Sequence, residues 1–171
     1  DMWSNSNGEE LKSIIKKINK TNLSTDAKEI LQIALLTNSY FPEKNISYEE
    51  FLEFKSNFLL KKKDLNLIKN FLTKNNKTSI NYLLIKYYVN EYLSISDLET
   101  ACSIFNKVEF VDDDYLTKFR IYCLVNEDRR EEAQLIFDLK KELGFNDDFF
   151  EKKFNFLLGY DTNNETEISE K

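Results

Sequence analysis

Histidine is absent from the 171 residues. That absence excludes Ser-His and Cys-His nucleophilic pairs, zinc-protease helices and mixed Cys/His metal sites together. Two cysteines, Cys102 and Cys123, are too few for a four-thiolate site and do not form a Cys-x-x-Cys pair. Each is read as a small, reduced and buried core residue. A disulfide between them stays open, because the helices that carry them are expected to be antiparallel neighbours. One proline, Pro42, and three glycines leave few of the breakers that an all-β chain needs. No stretch of about 18 apolar residues occurs, so no membrane insertion is expected. Arginine is scarce, at Arg120, Arg129 and Arg130 only, and acidic residues outnumber basic ones by 30 to 24 with the two signs interleaved. Phosphate backbones need a basic stripe, so nucleic acid is not the expected partner.

What is present favours a folded helical chain. Apolar residues make up 42% and aromatics 14%, enough for a sizeable core in a single domain. Helical periodicity dominates, and start signals punctuate it. Ser47-Tyr-Glu-Glu50 and Ser96-Asp-Leu-Glu99 fit the capping box, while Asp64, Thr78 or Ser79, the run Asp112–Asp114, Asp128 and Asp147 fit simple N-caps. Gly144 and Gly159 read as helix stops. The pattern predicts nine helices, at about 9–20, 25–39, 48–61, 65–75, 80–93, 97–107, 114–126, 129–143 and 148–158. Their short connections imply antiparallel hairpins.

The hairpins repeat. Asp64 to Asp97 spans 33 residues and Asp97 to Arg129 spans 32, while Phe51, Leu84, Leu116 and Phe149 step by 33, 32 and 33. The same register stacks Ile68 with Ala101 and Ala133, and Leu72 with Phe105 and Phe137. Burial is expected for Tyr92, Ala101, Phe105, Ala133 and Phe137.

A period near 33 with a small-x-x-x-aromatic second helix resembles tetratricopeptide repeats. Tyr92, Ala101 and Phe105 match that family's positions, as do Ala133 and Phe137, whereas its early Trp is missing and Val89 and Ile121 stand where it has a close-contact Gly. The stretches "DLETACSI" and "FRIYCLVNEDRREEAQLIFDLKKELGFNDDFF" also resemble a bacterial family of helical-hairpin proteins to which no activity is attached. The resemblance implies an all-α, right-handed α-solenoid of stacked antiparallel hairpins with degenerate repeats. Its expected parts are an N-terminal helical pair at 9–42, hairpins at 47–77, 78–111 and 112–144, a half-hairpin at 147–159, and a polar tail at 160–171. Bacterial cytoplasm and periplasm both stay open as its location.

In such stacks the first helix of each unit lines a concave surface. Transferring the register assigns the groove to Glu50, Glu53 and Asn57, to Lys86 and Asn90, and to Tyr115, Lys118 and Tyr122. Exchanging Lys86 and Lys118 for Glu is then expected to weaken partner binding and leave stability almost unchanged. Lys86-x-x-x-Asn90 resembles half of a carboxylate clamp, but Phe119 stands where the second Asn belongs. Asp112-Asp113-Asp114 lacks the central Gly and spaced oxygens of a calcium loop, so a helix cap is expected rather than a metal site. Lys61-Lys62-Lys63 reads as a solvated helix end that suits the dipole, with a phosphate or membrane patch as the alternative.

The function expected from this pattern is a non-enzymatic scaffold that presents a groove to another protein or peptide, with no cofactor and no catalytic residues. One alternative is an enzyme or small-molecule carrier using carboxylates such as Glu50, Glu53 or the Asp112–Asp114 group, which would need a shielded pocket. Another is a purely structural segment of a longer protein. Phe149, Phe150, Phe154 and Leu157 make the last helix apolar on more than one face, and are expected to form an exposed apolar end that supports self-association.

Overall fold

The computed structural model describes residues 2–37, 40–75, 82–109 and 112–160. They are all-helical. Nine α-helices occur among the described residues: α1 (Gly8–Ile18), α2 (Thr25–Leu36), α3 (Tyr48–Lys62), α4 (Leu65–Lys74), α5 (Tyr82–Ser94), α6 (Leu98–Ser103), α7 (Asp114–Asn126), α8 (Arg130–Glu142) and α9 (Asp148–Leu158). The remaining β-type contact described is an isolated bridge between Asn7 and Lys44. The expected cap at Thr78 or Ser79 and all of the polar tail beyond Tyr160 lie outside the described residues.

Short polar side chains start most of these helices by satisfying amides that have no intrahelical partner. Ser47 and Glu50 close a full capping box, with the Ser47 hydroxyl accepting from the Glu50 amide at 3.1 Å and the Glu50 carboxylate accepting from the Ser47 amide at 2.9 Å. Asp64, Asp113 and Asp147 cap α4, α7 and α9 as the pattern predicts. At two helix starts the backbone decides which residue caps. Ser96 and Asp128 adopt left-handed backbone, with φ of 61° each, so Asp97, at the head of the helix predicted over 97–107, caps α6 in place of the Ser96 box, and α8 begins after Arg129.

The chain forms two compact units, Asp1–Glu109 and Phe110–Lys171. In the first, α3 and α4 both pack on α5, and α5 packs on α6. Leu59, Ile68, Leu72, Leu84, Val89, Ala101 and Ile104 are fully buried there. At its N-terminal end Leu11, Ile46 and Phe51 form a cluster joined by Trp3 and Phe54. The Trp3 ring meets Phe51 edge-on at 5.5 Å, and its Nε1 donates to the Ala34 carbonyl at 3.1 Å, tying the N-terminal segment to α2 and α3. Gly8 allows this docking. A Cβ there would meet Ile46 and lie 2.5 Å from the carbonyl oxygen of Asn45.

In the second unit α7 packs on α8 and α9. Ile121, Leu124, Ala133, Phe137, Phe154 and Leu158 form its core, with Phe145 and Phe150 packed against it. The Phe137 and Phe154 rings are 4.7 Å apart, within the range where aromatic pairs add attraction beyond area burial. Cys102 in the first unit and Cys123 in the second are both buried. Neither is free, so their reading as reduced thiols does not hold.

Ala101, Ala133 and Phe137 are buried as expected, but Tyr92 and Phe105 are only half-buried. α6 ends after six residues and tightens into a 3-10 turn over Ile104–Asn106. Three residues per turn instead of 3.6 rotates the register, and Ile104 takes the buried place intended for Phe105. One turn before Tyr92, Tyr88 fills the interior, and the two rings lie 4.7 Å apart. The apolar end is corrected as well. Phe154 is buried at 1% exposure and Phe150 is half-buried, because both turn toward Phe137; Phe149 and Leu157 remain exposed.

Candidate functional site

In the first unit an apolar crevice opens among α1, α2 and α3. It comprises a cavity of about 370 Å³ and an adjoining one of about 140 Å³, which share Ile18, Asn19, Leu31, Phe58 and Lys61 as lining. The floor follows from sequence spacing. Ile15 and Ile18 are three apart on α1, Leu31 and Leu35 four apart on α2, and Phe54 and Phe58 four apart on α3, so each helix contributes one apolar face.

The rim is cationic. Lys28 comes from α2, and Lys61 and Lys62 from the last turn of α3, where positive charge complements the carbonyl end of the helix. Lys61 Nζ donates to Asn19 Oδ1 at 2.7 Å, and Lys62 Nζ donates to Gln32 Oε1. Both partners are neutral amides. Among the described residues none of the three lysines has a carboxylate within ion-pair distance. An apolar floor under uncompensated ammonium groups suits an amphipathic anion. Among the described residues the lining has no carboxylate, cysteine or tyrosine, and so those residues offer no acid–base pair built on such groups.

The residues that the repeat register assigns to a groove have varied surroundings. Asn57 is exposed on α3 and lines the smaller cavity, and Glu53 is exposed one turn earlier. Glu50 caps α3 and pairs with Lys12 at 2.8 Å; hydrogen bonds from Lys12 and then from the Ser47 amide hold its carboxyl below the usual range. On α5, Lys86 is half-buried and Asn90 exposed. Tyr115, Lys118 and Tyr122 belong to the second unit. Both tyrosines are partly exposed, with burial and the Asp113 charge pushing the Tyr115 hydroxyl up.

Lys118 is committed within its own unit. Its ammonium pairs with Asp147, the cap of α9, and lies 5.3 Å and 5.8 Å from the Phe145 and Phe150 ring centres. The expectation that Lys118 can be exchanged without cost to stability is therefore corrected: the side chain joins α7 to the start of α9. The Asp112–Asp114 run is engaged in a similar way. Asp113 accepts from the Leu116 amide, while Asp112 and Asp114 take the buried Lys140 at 2.5 Å and 3.2 Å. No group of three or more metal-ligating side chains is found among the described residues, and no helix among them is long and apolar enough to cross a membrane.

Of the crevice residues the register assigns only Asn57 to the groove: Phe54, Phe58, Lys61 and Lys62 lie on α3 within the first expected hairpin, while α1 and α2 precede the repeats. The available signal is the run Lys61–Lys63 following Phe54 and Phe58, which together give a helix end with an apolar face and a dense charge. No family model, no curated protein and no solved structure matches the chain. The tetratricopeptide-like reading and a bacterial origin rest on the sequence resemblance.

Proposed function

We propose that the chain is a non-enzymatic interaction module, a tetratricopeptide-like stack of hairpins whose lysine-rimmed crevice takes an acidic amphipathic segment of another protein. The observation that carries this reading is the uncompensated charge of Lys28, Lys61 and Lys62 over the apolar floor. Helix-in-groove recognition uses this combination: apolar anchors supply affinity, and rim charges select the partner and speed encounter. The stacking is supported by α5, which packs on its neighbours α4 and α6 and also on α3, and by α7, which packs on α8 and α9.

The test is fluorescence anisotropy with two labelled amphipathic peptides that share one apolar face, one bearing Glu and the other Lys beside it. The acidic peptide should bind and weaken with added salt, and the basic one should not. Neutralising the rim with Lys28→Gln, Lys61→Gln and Lys62→Gln together should weaken binding roughly 3- to 150-fold, since exposed ion pairs contribute about 0.2–1 kcal/mol each. Equal affinity for the two peptides, or an unchanged Kd in a folded triple variant, would remove the reading.

Self-association is supported by separate residues. Phe149 and Leu157 on α9, with Tyr160 after it, are exposed, as are Leu135 and Leu139 on α8 and Leu143 at its C-cap. Sedimentation velocity across a hundredfold concentration range should show a larger species, which Leu139→Glu with Leu143→Glu should dissolve. A single monomer boundary at the highest concentration would oppose it.

A further inference from the structure

A separate cavity of about 210 Å³ lies among the end of α2, the middle of α3 and the second half of α4. Lys55 lines it from α3, Lys74 and Asn70 from α4, and Leu36, Leu67 and Phe71 provide an apolar wall. Lys55 is nine-tenths buried at 9% exposure. Among the described residues its partner is the Phe51 ring, 4.9 Å from the ammonium. No carboxylate and no hydrogen-bond acceptor among the described residues meets it, and burial pushes its pKa below the usual lysine range. Lys74 likewise has no ion pair among the described residues.

A buried ammonium without a counter-ion is costly, and a ring face replaces only part of its lost hydration. A snorkelling lysine would carry its charge out to bulk water. Lys55 instead lines a cavity that already holds a second lysine and the amides of Asn70 and Asn75, with no acidic side chain among the described lining residues. The volume is smaller than the roughly 300–1,000 Å³ of pockets that enclose a drug-sized ligand. It suits a single charged group.

We infer that this cavity is a receptor for a small oxyanion, a carboxylate or phosphate group, held by Lys55 from inside and Lys74 at its mouth. The site is independent of the α1–α3 crevice, and peptide binding there neither requires nor excludes it.

The experiment is thermal unfolding of the full chain in phosphate, acetate and phenyl phosphate against chloride at matched ionic strength. At tenfold excess over Kd an anion shifts the folding equilibrium about elevenfold, or about 1.4 kcal/mol, read as roughly 3–6 °C in Tm for a chain of this size. A larger response to phenyl phosphate than to phosphate would identify an oxyanion carried on an organic body, and equal responses a free one. Lys55→Met should abolish the shift and, in chloride, be at least as stable as the wild type, because it removes an unpaired buried charge with little change of shape. Lys74→Met, an exposed change, should weaken the response. In the wild type itself, phosphate should slow reductive methylation of Lys55. Anion shifts no larger than in chloride, equal shifts in wild type and Lys55→Met, or methylation of Lys55 indifferent to phosphate would each overturn the inference.

Discussion

Replacing Lys118 by methionine tests the second unit at the contact that joins α7 to α9. Methionine keeps an unbranched stem against Phe145 and Phe150 and removes only the charge. The charge-assisted hydrogen bond to Asp147 has an upper value of about 1.5–3 kcal/mol. Both side chains are partly open to solvent, at 33% and 27%, which lowers that contribution to about 1 kcal/mol. The two ring contacts add roughly 0.5 kcal/mol each at such exposure. Asp147 keeps its cap on the Phe150 amide at 2.9 Å, so that term survives. The sum is about 1.5–2 kcal/mol, or a Tm lower by about 3–8 °C. Lys118→Glu should cost more, since it sets a second carboxylate beside Asp147. The pH dependence has a definite sign. Lys118 first, and the Phe150 amide second, hold the Asp147 carboxyl below its ordinary value of 3.8. A depressed carboxyl stabilises the fold above that value and loses its contribution as pH falls through the folded pKa. The gap between wild type and Lys118→Met should therefore be full at pH 7 and shrink toward the ring contribution as pH drops below about 4. Melts followed by far-UV circular dichroism from pH 7 to pH 3 measure it. A gap under about 0.3 kcal/mol at pH 7, or one that stays constant into acid, would refute the assignment.

Three further substitutions probe packing. Gly8 is the first residue of α1, and in Gly8→Ala the new methyl meets Ile46 and the Asn45 carbonyl, so a loss of about 1–3 kcal/mol is expected with a red-shifted emission from the sole tryptophan, Trp3; a rise in Tm would show that α1 does not dock on residues 44–46. Phe154→Ala should cost about 3–5 kcal/mol in urea unfolding and Phe149→Ala about 0.5 kcal/mol or less; the reverse order would reinstate Phe154 as part of the exposed end.

Helix positions were legible because caps and periodicity are local. The pattern predicts α7 at 114–126 and α9 at 148–158, the observed bounds, since Asp113 and Asp147 each reach an amide only three residues on. Errors arose where backbone conformation, invisible in the pattern, took over. Ser96 can complete a capping box on paper, but its left-handed backbone hands the cap to Asp97. Likewise, Phe105 satisfies the 33-residue register until α6 tightens. The Ser103 hydroxyl, bonded back to the Thr100 carbonyl at 2.8 Å, belongs to the turn where that happens.

The candidate site was legible only in part, for a different reason. A crevice is a relation among helices, and α1 and α3 meet across about 40 residues of sequence, whereas cap and periodicity rules act over fewer than ten. Lys61 and Lys62 show what such rules do capture. Positive charge in the last turn of a helix contributes about 0.3–1 kcal/mol through the dipole whether or not a ligand binds. The run is therefore explained at the level of α3 alone, and its second role becomes visible only when α1 and α2 bring apolar faces beneath it. The two roles separate by experiment. Neutral Gln at positions 61 and 62 should lower stability by the dipole term irrespective of any peptide, while Lys28, in the first turns of α2 where positive charge is unfavourable, should give no such loss. Lys28→Gln alone should weaken the acidic peptide while leaving Tm level or slightly raised. If binding instead falls only when stability falls, the lysines serve the helix and the crevice is not a binding site.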